Sequence, residues 1–599
     1  MERAGGGWGV RAAWSALLAL VVLRGATAFL PSMWAWGLNV QRFIPPLVAW
    51  LPWMIAGLLL HPGLAAGVAT RLEQAGDRLV AGRWSGWLAG LAGAALVWSL
   101  PDRTWVTGDF LLRQGTAESR AFPGNFIQSL PLEVVLNQGL PRMFGAFSQA
   151  DPNAANRTIG ALAAGGLALA AVSLAREWGF RGGAALVAAG TIVFGGFLTA
   201  FTGLGKPAAL ISLLAVLALL GATRLVRSGR GAVPLGLTMA IAFLTHRSGL
   251  ILAPTWLAAL LLARRDHPAL KPLGRRDIAA GLVLPCLCAV VVAPIVVGII
   301  RRHDLPLHIV PPGVQGWGLL GAALAPMHLL DLANVLLLYT PALAPAAAVA
   351  IVSGPRTFTR PESRLAALLA LSFIPVLLFI HPGQGIFRDL DVFAPAGVAC
   401  ALLAAYVVGD ALESRRLPAW LAPALLASVV VPAVQWLVLF HDAENGLGRA
   451  RSYALEAPVR EGRELAQLWD VIAYRAFRLR SWDRAVEASS NSVRYAPHPR
   501  SLMMLAIART YTGDHRGAES LYVALAERSP EDPLVWVGLG GAALRVGDSL
   551  QTARALARLE SYGEDSREAR LIRRHLRIFP EVWPAAAEVR GGRGSQRGP

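Results

Sequence analysis

Six short clusters of ionisable side chains interrupt a largely apolar sequence, and each could do chemistry. Asp109 lies in TGDFLLRQG, with Glu118 downstream, in a polar loop covering 101–157. A carboxylate held at a membrane surface can act as general base towards a hydroxyl or amine, or ligate a metal. Asp is equally a preferred helix N-cap, and FLLRQG could be the turn it caps. In FRDLDVFAP, Arg388 could fork onto two phosphate oxygens while Asp389 or Asp391 orients it. The same three could instead form a salt-bridge cap on the next helix, with Asp391 stabilised by the helix dipole. Two residues apart, Asp389 and Asp391 cannot point the same way on a helix, so one faces the site and the other caps.

His246 and Arg247 sit in FLTHRSGLILAP, where an ordinary turn needs only Gly, Asn or Ser. Such a pair suits a phosphate or pyrophosphate, or else both side chains snorkel to headgroups. Lys206 occupies a tight turn, TGLGKPAAL. Arg301, Arg302 and His303 follow an apolar run, where a basic pair is also ordinary flanking sequence. His328 and Asp331, in APMHLLDLANVLL, are three apart and share a helix face. They could orient a proton acceptor or contribute to a metal site, which two ligands alone do not make; they could also be the wet edge of an interfacial helix.

Membrane-spanning helices must position these residues. The chain has 599 residues, 55% hydrophobic and 16% charged, with mean hydropathy +0.48; a soluble domain averages about 25% charged. Thirteen apolar runs are predicted to cross a hydrocarbon core of about 30 Å: 13–31, 43–60, 84–100, 158–175, 183–203, 207–223, 232–246, 249–263, 278–300, 333–353, 365–381, 392–409 and 417–440. The first reads as an uncleaved signal anchor. With the N-terminus inside, twenty Arg and Lys fall on the inner side and eleven on the outer, the bias that sets orientation. That orientation brings nearly all the mixed clusters to the outer face, as a site at the membrane edge requires. Ionisable groups at one surface, not at mid-membrane, argue against a transporter. In the outer loop, IQSLPLEVVLNQGLPRMF has helical apolar spacing and predicts a helix lying in the interface.

The net charge of +18 is spent on short inner loops, a polar C-terminal part and the tail RGGRGSQRGP, so no nucleic-acid partner is expected. The cysteines, Cys286, Cys288 and Cys400, all lie in apolar runs, which offers no disulfide framework or zinc site. Three segments are expected: a membrane domain over 1–440, a helical domain over 441–585 and a disordered basic tail over 586–599. Within the second, Gly513-Asp514 and Gly547-Asp548 stand 34 apart, and Ala485 with Ala518 and Pro497 with Pro530 stand 33 apart. That period resembles tetratricopeptide repeats, helix pairs stacked into an α-solenoid that docks protein partners. The third copy has its Ala553 one residue late and no closing proline.

With the 101–157 loop, FLTHRSGLILAP, APMHLLDLANVLLLYTP and FRDLDVFAP together, the chain resembles a bacterial family of polytopic membrane proteins ending in tetratricopeptide repeats. That family is itself similar to the GT-C glycosyltransferases. The resemblance implies an all-α architecture in the bacterial inner membrane, with the repeats outside the cytoplasm. It also implies transfer of a sugar from a polyprenyl-phosphate donor to a protein, lipid or glycan acceptor. Asp109 matches the acidic residue of the first large external loop, which contacts the acceptor or a divalent cation (Mg or Mn); the paired acidic form of many such enzymes is absent. Arg388, Arg247, His246, Lys206 and Arg302 are then the expected donor-phosphate ligands, with Asp389, Asp391, His328, Asp331 and Glu118 supporting. The alternative is a non-catalytic, membrane-anchored scaffold.

Overall fold

The computed structural model describes residues 2–110, 128–147, 154–265, 275–309 and 318–562. Two compact units divide the chain, Met1–Pro458 and Val459–Pro599. Among the described residues every regular element is a helix. Glu118 and the basic tail lie outside the described residues.

Among the described residues of the first unit, seven helices are long and apolar enough to cross a membrane, and two bent pairs raise the number to nine. One bend departs from the predicted run 333–353. Pro326–Tyr339 and Leu343–Phe358 meet at 97° instead of running straight. Pro341 disfavours a helical residue before it, and Thr340 leaves the helix with its hydroxyl donating to the Gly397 carbonyl (2.8 Å). The second bend, 98°, joins Pro46–Leu58 to Pro62–Ala81.

Pro326–Tyr339 faces the protein, not water. Trp36 Nε1 donates to Asp331 Oδ1 (2.8 Å), the Gly37 amide to Asn334 Oδ1 (2.7 Å), and Asn334 Nδ2 back to the Trp34 carbonyl (2.9 Å). His328 Nε2 donates to the carbonyls of Leu377 and Leu378 (3.2 and 3.1 Å). His328 and Asp331, expected to support the site, are thus engaged in satisfying buried polar groups.

The first unit runs to Pro458, past the expected boundary at 440. The helix Ala443–Leu455 is polar in composition, yet it buries Leu447, Arg449, Ala450 and Tyr453. The Arg449 guanidinium lies between the rings of Phe387 and Trp436 (4.8 and 4.5 Å) and donates to the Trp36 carbonyl (2.6 Å). Tyr453 stacks on Phe387 of the 381–391 loop (centroids 3.9 Å). Beyond it, Glu456 takes both hydrogen bonds of the Arg42 fork (2.6 Å each). That hydrogen bonding holds the Glu456 carboxyl below its ordinary value. A depressed carboxyl contributes stability above its unfolded pKa, about 4.3, and loses it as pH falls through the lower folded value. Glu456→Gln is therefore expected to lower the melting temperature at neutral pH by a few degrees, about 1 kcal/mol or less, and to converge with wild type in acid. A thermal melt across pH checks this.

The second unit is a succession of helices, Gly462–Arg478, Trp482–Tyr495, Pro499–Thr512, His515–Arg528, Pro533–Val546 and Ser549–Ser561, each packed on the next. The repeated Gly-Asp is a stop and a start. Gly513 and Gly547 end their helices at positive φ (+86° and +83°), and Asp514 and Asp548 cap the next through the Gly517 and Gln551 amides (2.9 Å each). At the position 34 residues after Ala518 stands Thr552, fully buried, its hydroxyl absorbed by the Asp548 carbonyl (2.7 Å).

Candidate functional site

Asp109 owes its position to a short loop pinned at both ends. Asp102 Oδ1 accepts from the Thr104 and Trp105 amides (2.7 and 3.1 Å), and the Arg103 amide donates to the Phe440 carbonyl (2.9 Å). Three residues after Trp105 the 381–391 loop takes over. The Gly108 amide donates to the Arg388 carbonyl (2.6 Å), and the Arg388 guanidinium returns bonds to the carbonyls of Val106 and Gly108 (3.3 and 2.9 Å). Arg388 is buried. Expected as a phosphate fork, it instead fixes the backbone that presents Asp109.

Lys206 brings the scattered carboxylates together. Its ammonium lies 2.9 Å from Asp391 Oδ2 and 3.2 Å from Asp109 Oδ2. Gln384 Nε2 donates to the other oxygen of Asp109 (2.9 Å). Asp109 is the open member of the cluster, its side chain 33% exposed against 4% for Asp391. Asp389 is buried beside them. Burial pushes its carboxyl up to about 7, Lys206 pulls it down, Asp391 and Asp109 push it up again, and Arg388 opposes them. Burial thus favours the protonated form of Asp389. Both aspartates of FRDLD face inward, since Leu390–Phe393 is a 3₁₀ turn and the α-helix starts only at Ala394.

A second cluster forms around Arg247. Its Nη2 donates to Asp304 Oδ1 (2.8 Å) and its Nε lies 2.6 Å from Asp304 Oδ2. Its Nη1 donates to His246 Nε2 (2.9 Å). His246 Nδ1 faces Ser248, 3.2 Å from the amide nitrogen and 2.7 Å from Oγ. His303 Nδ1 accepts from Gln128 Nε2 (3.0 Å). His308 lies in electrostatic range of Asp304, Arg247, His303 and Asp109, and so links the two clusters. Its carbonyl accepts from the His381 amide (2.6 Å), tying the Ile300–Ile309 turns to the 381–391 loop.

Of the expected site residues, Asp109, Lys206, Asp389, Asp391 and Arg388 converge, and His246 and Arg247 form the adjoining group. Arg302 does not join them: with Arg301 it is exposed, while His303 and Asp304 turn inward. Gln384, Asp304 and His308 were not anticipated. The sequence signal for Asp304 and His308 was their i, i+4 spacing beside the basic pair.

The carboxylates do not suit the divalent cation that the resemblance implies. The Lys206 ammonium already stands between Asp109 and Asp391, and among the described residues no group of three His, Cys, Asp or Glu is placed to hold a metal. Compared with known proteins, the chain matches no protein-family model and no curated protein.

Proposed function

We propose that the chain is a GT-C-type membrane glycosyltransferase that moves a sugar from a polyprenyl-phosphate donor to an acceptor at the outer face of the membrane. The observation that carries this reading is one exposed carboxylate, Asp109, oriented by Lys206 and Gln384 beside an arginine–histidine group. Asp109 takes the proton of the acceptor hydroxyl or amine as that atom bonds to the anomeric carbon. The bond from that carbon to the phosphate oxygen breaks, and the phosphate leaves with the electron pair. Arg247, with His303 and His308 near it, offsets the charge that develops on the leaving phosphate. Attack opposite the leaving group gives inversion.

Membrane topology supports the reading. Besides the nine spans counted above, the first unit has four shorter apolar helices, Ser85–Ser99, Gly182–Val193, Ala232–Thr245 and Arg247–Ala263. Counting these as crossings gives thirteen, with both clusters outside and an inner-membrane location. The second unit then lies outside the cytoplasm as tetratricopeptide-like hairpins that recruit a protein acceptor or partner.

The test is transfer from radiolabelled polyprenyl-phosphate sugars by the purified full-length protein. Arg247→Lys keeps the charge but loses the fork, so it is expected to lower turnover ten- to a hundredfold while the melt stays near wild type. If no donor is turned over, the enzyme reading fails and an anchored scaffold that docks partners through its repeats replaces it.

A further inference from the structure

We infer that Lys206 is a resident cation: it stands where a divalent metal would otherwise gather the carboxylates, so the site works without metal, and this side chain is what excludes one. The inference deepens the reading of this cluster as the transfer site, but its test measures metal binding itself.

The geometry is built around the ammonium. Lys206 Nζ contacts two carboxylates at salt-bridge distance and acts electrostatically on the third, Asp389. Its position is fixed by the backbone. Gly203 and Gly205 both adopt positive φ (+107° and +68°), a conformation that favours glycine. A Cβ on Gly205 would lie 2.7 Å from Asn156 Nδ2, and one on Gly203 2.7 Å from Arg157 Cγ. The turn is therefore seated directly against Asn156 and Arg157, and Pro207 leads at once into the helix Ala208–Ser228. The backbone that carries Lys206 is thus held in place, and the two ion pairs hold its ammonium.

Space is equally short on the far side. A Cβ added at Gly108 would lie 2.7 Å from the ammonium and overlap Asp391 Oδ1. Asp391 Oδ1 is itself buried with no hydrogen-bond partner, an acceptor directed at the crowded centre. A divalent cation needs oxygens at about 2.0–2.6 Å, and here they surround a single-charge ammonium. Removing that ammonium leaves the two carboxylates it bridges, Asp109 and Asp391, facing the space it filled, with Asp389 buried in the same loop: two hard oxygen ligands from which a cation site can start.

The experiment uses the full-length protein in detergent, titrated with MnCl₂ and followed by electron paramagnetic resonance. Wild type is expected to bind no stoichiometric Mn²⁺. Lys206→Gln is expected to bind one Mn²⁺ per chain at least tenfold more tightly, and Lys206→Gln with Asp391→Asn to lose it again. One Mn²⁺ bound by wild type and lost in Asp109→Asn overturns the inference, as does a folded Lys206→Gln that binds none. Should Lys206→Gln fail to fold, the wild-type titration with the Asp109→Asn control still decides. Failure of sugar transfer would sink the proposed function without moving any of these signals.

Discussion

Asp109→Asn is expected to abolish the proposed sugar transfer, with a loss of at least a hundredfold, while the protein still folds and inserts. The substitution is isosteric. The new amide oxygen can still accept from Gln384, and the side chain is one-third exposed, so little is left buried and unsatisfied. Two things are lost. The acceptor proton has no base to receive it, an effect typically worth about 10²–10⁴-fold. In addition, the new NH₂ faces the Lys206 ammonium across the 3.2 Å that the carboxylate used to bridge. Radiolabelled transfer measured beside a thermal melt separates chemistry from folding. Undiminished turnover in a folded variant would remove Asp109 from the reaction.

Gly108→Ala is expected to inactivate nearly as completely by a different route. Gly108 holds φ at +56°, where an L side chain costs about 1–2 kcal/mol. Its added methyl would strike Asp391 Oδ1 and come within 2.7 Å of the Lys206 ammonium. Relieving that clash moves either the Asp109 loop or the ion pairs that orient Asp109. A displacement of about 1 Å can cost on the order of 10²-fold in rate. Gly513→Ala is the control. It has a similar positive φ, +86°, but open space around it, so it should lower the melting temperature slightly and leave transfer intact. Turnover in a folded Gly108→Ala as high as in Gly513→Ala would show that the crowding at the cluster does not matter.

How much of this was legible from sequence depends on how far apart the partners lie. Apolar runs and charged punctuation are local, so the helical, membrane-type first unit could be read directly and Asp109 and FRDLD could be singled out. Roles depend on distant partners and could not. Arg388 looked like a ligand for phosphate because nothing nearby needed its fork; its partners, Val106 and Gly108, are some 280 residues back. Asp304 acquires meaning only as the counter-ion of Arg247, 57 residues away. The conspicuous pair Arg301-Arg302 points outward. The domain boundary was misplaced because composition changes near 440 while packing does not: Arg449, a charged residue, is held between two aromatic rings.

The reciprocal clasp between Gly108 and Arg388 has a temporal consequence. The ribosome delivers Asp109 early and its clasp about 280 residues later, a delay of roughly 15–55 s at usual elongation speeds. During that interval Asp109 has no Arg388 to fix the backbone that presents it. A chain that ends before Arg388 therefore never acquires the contact that sets the direction of Asp109.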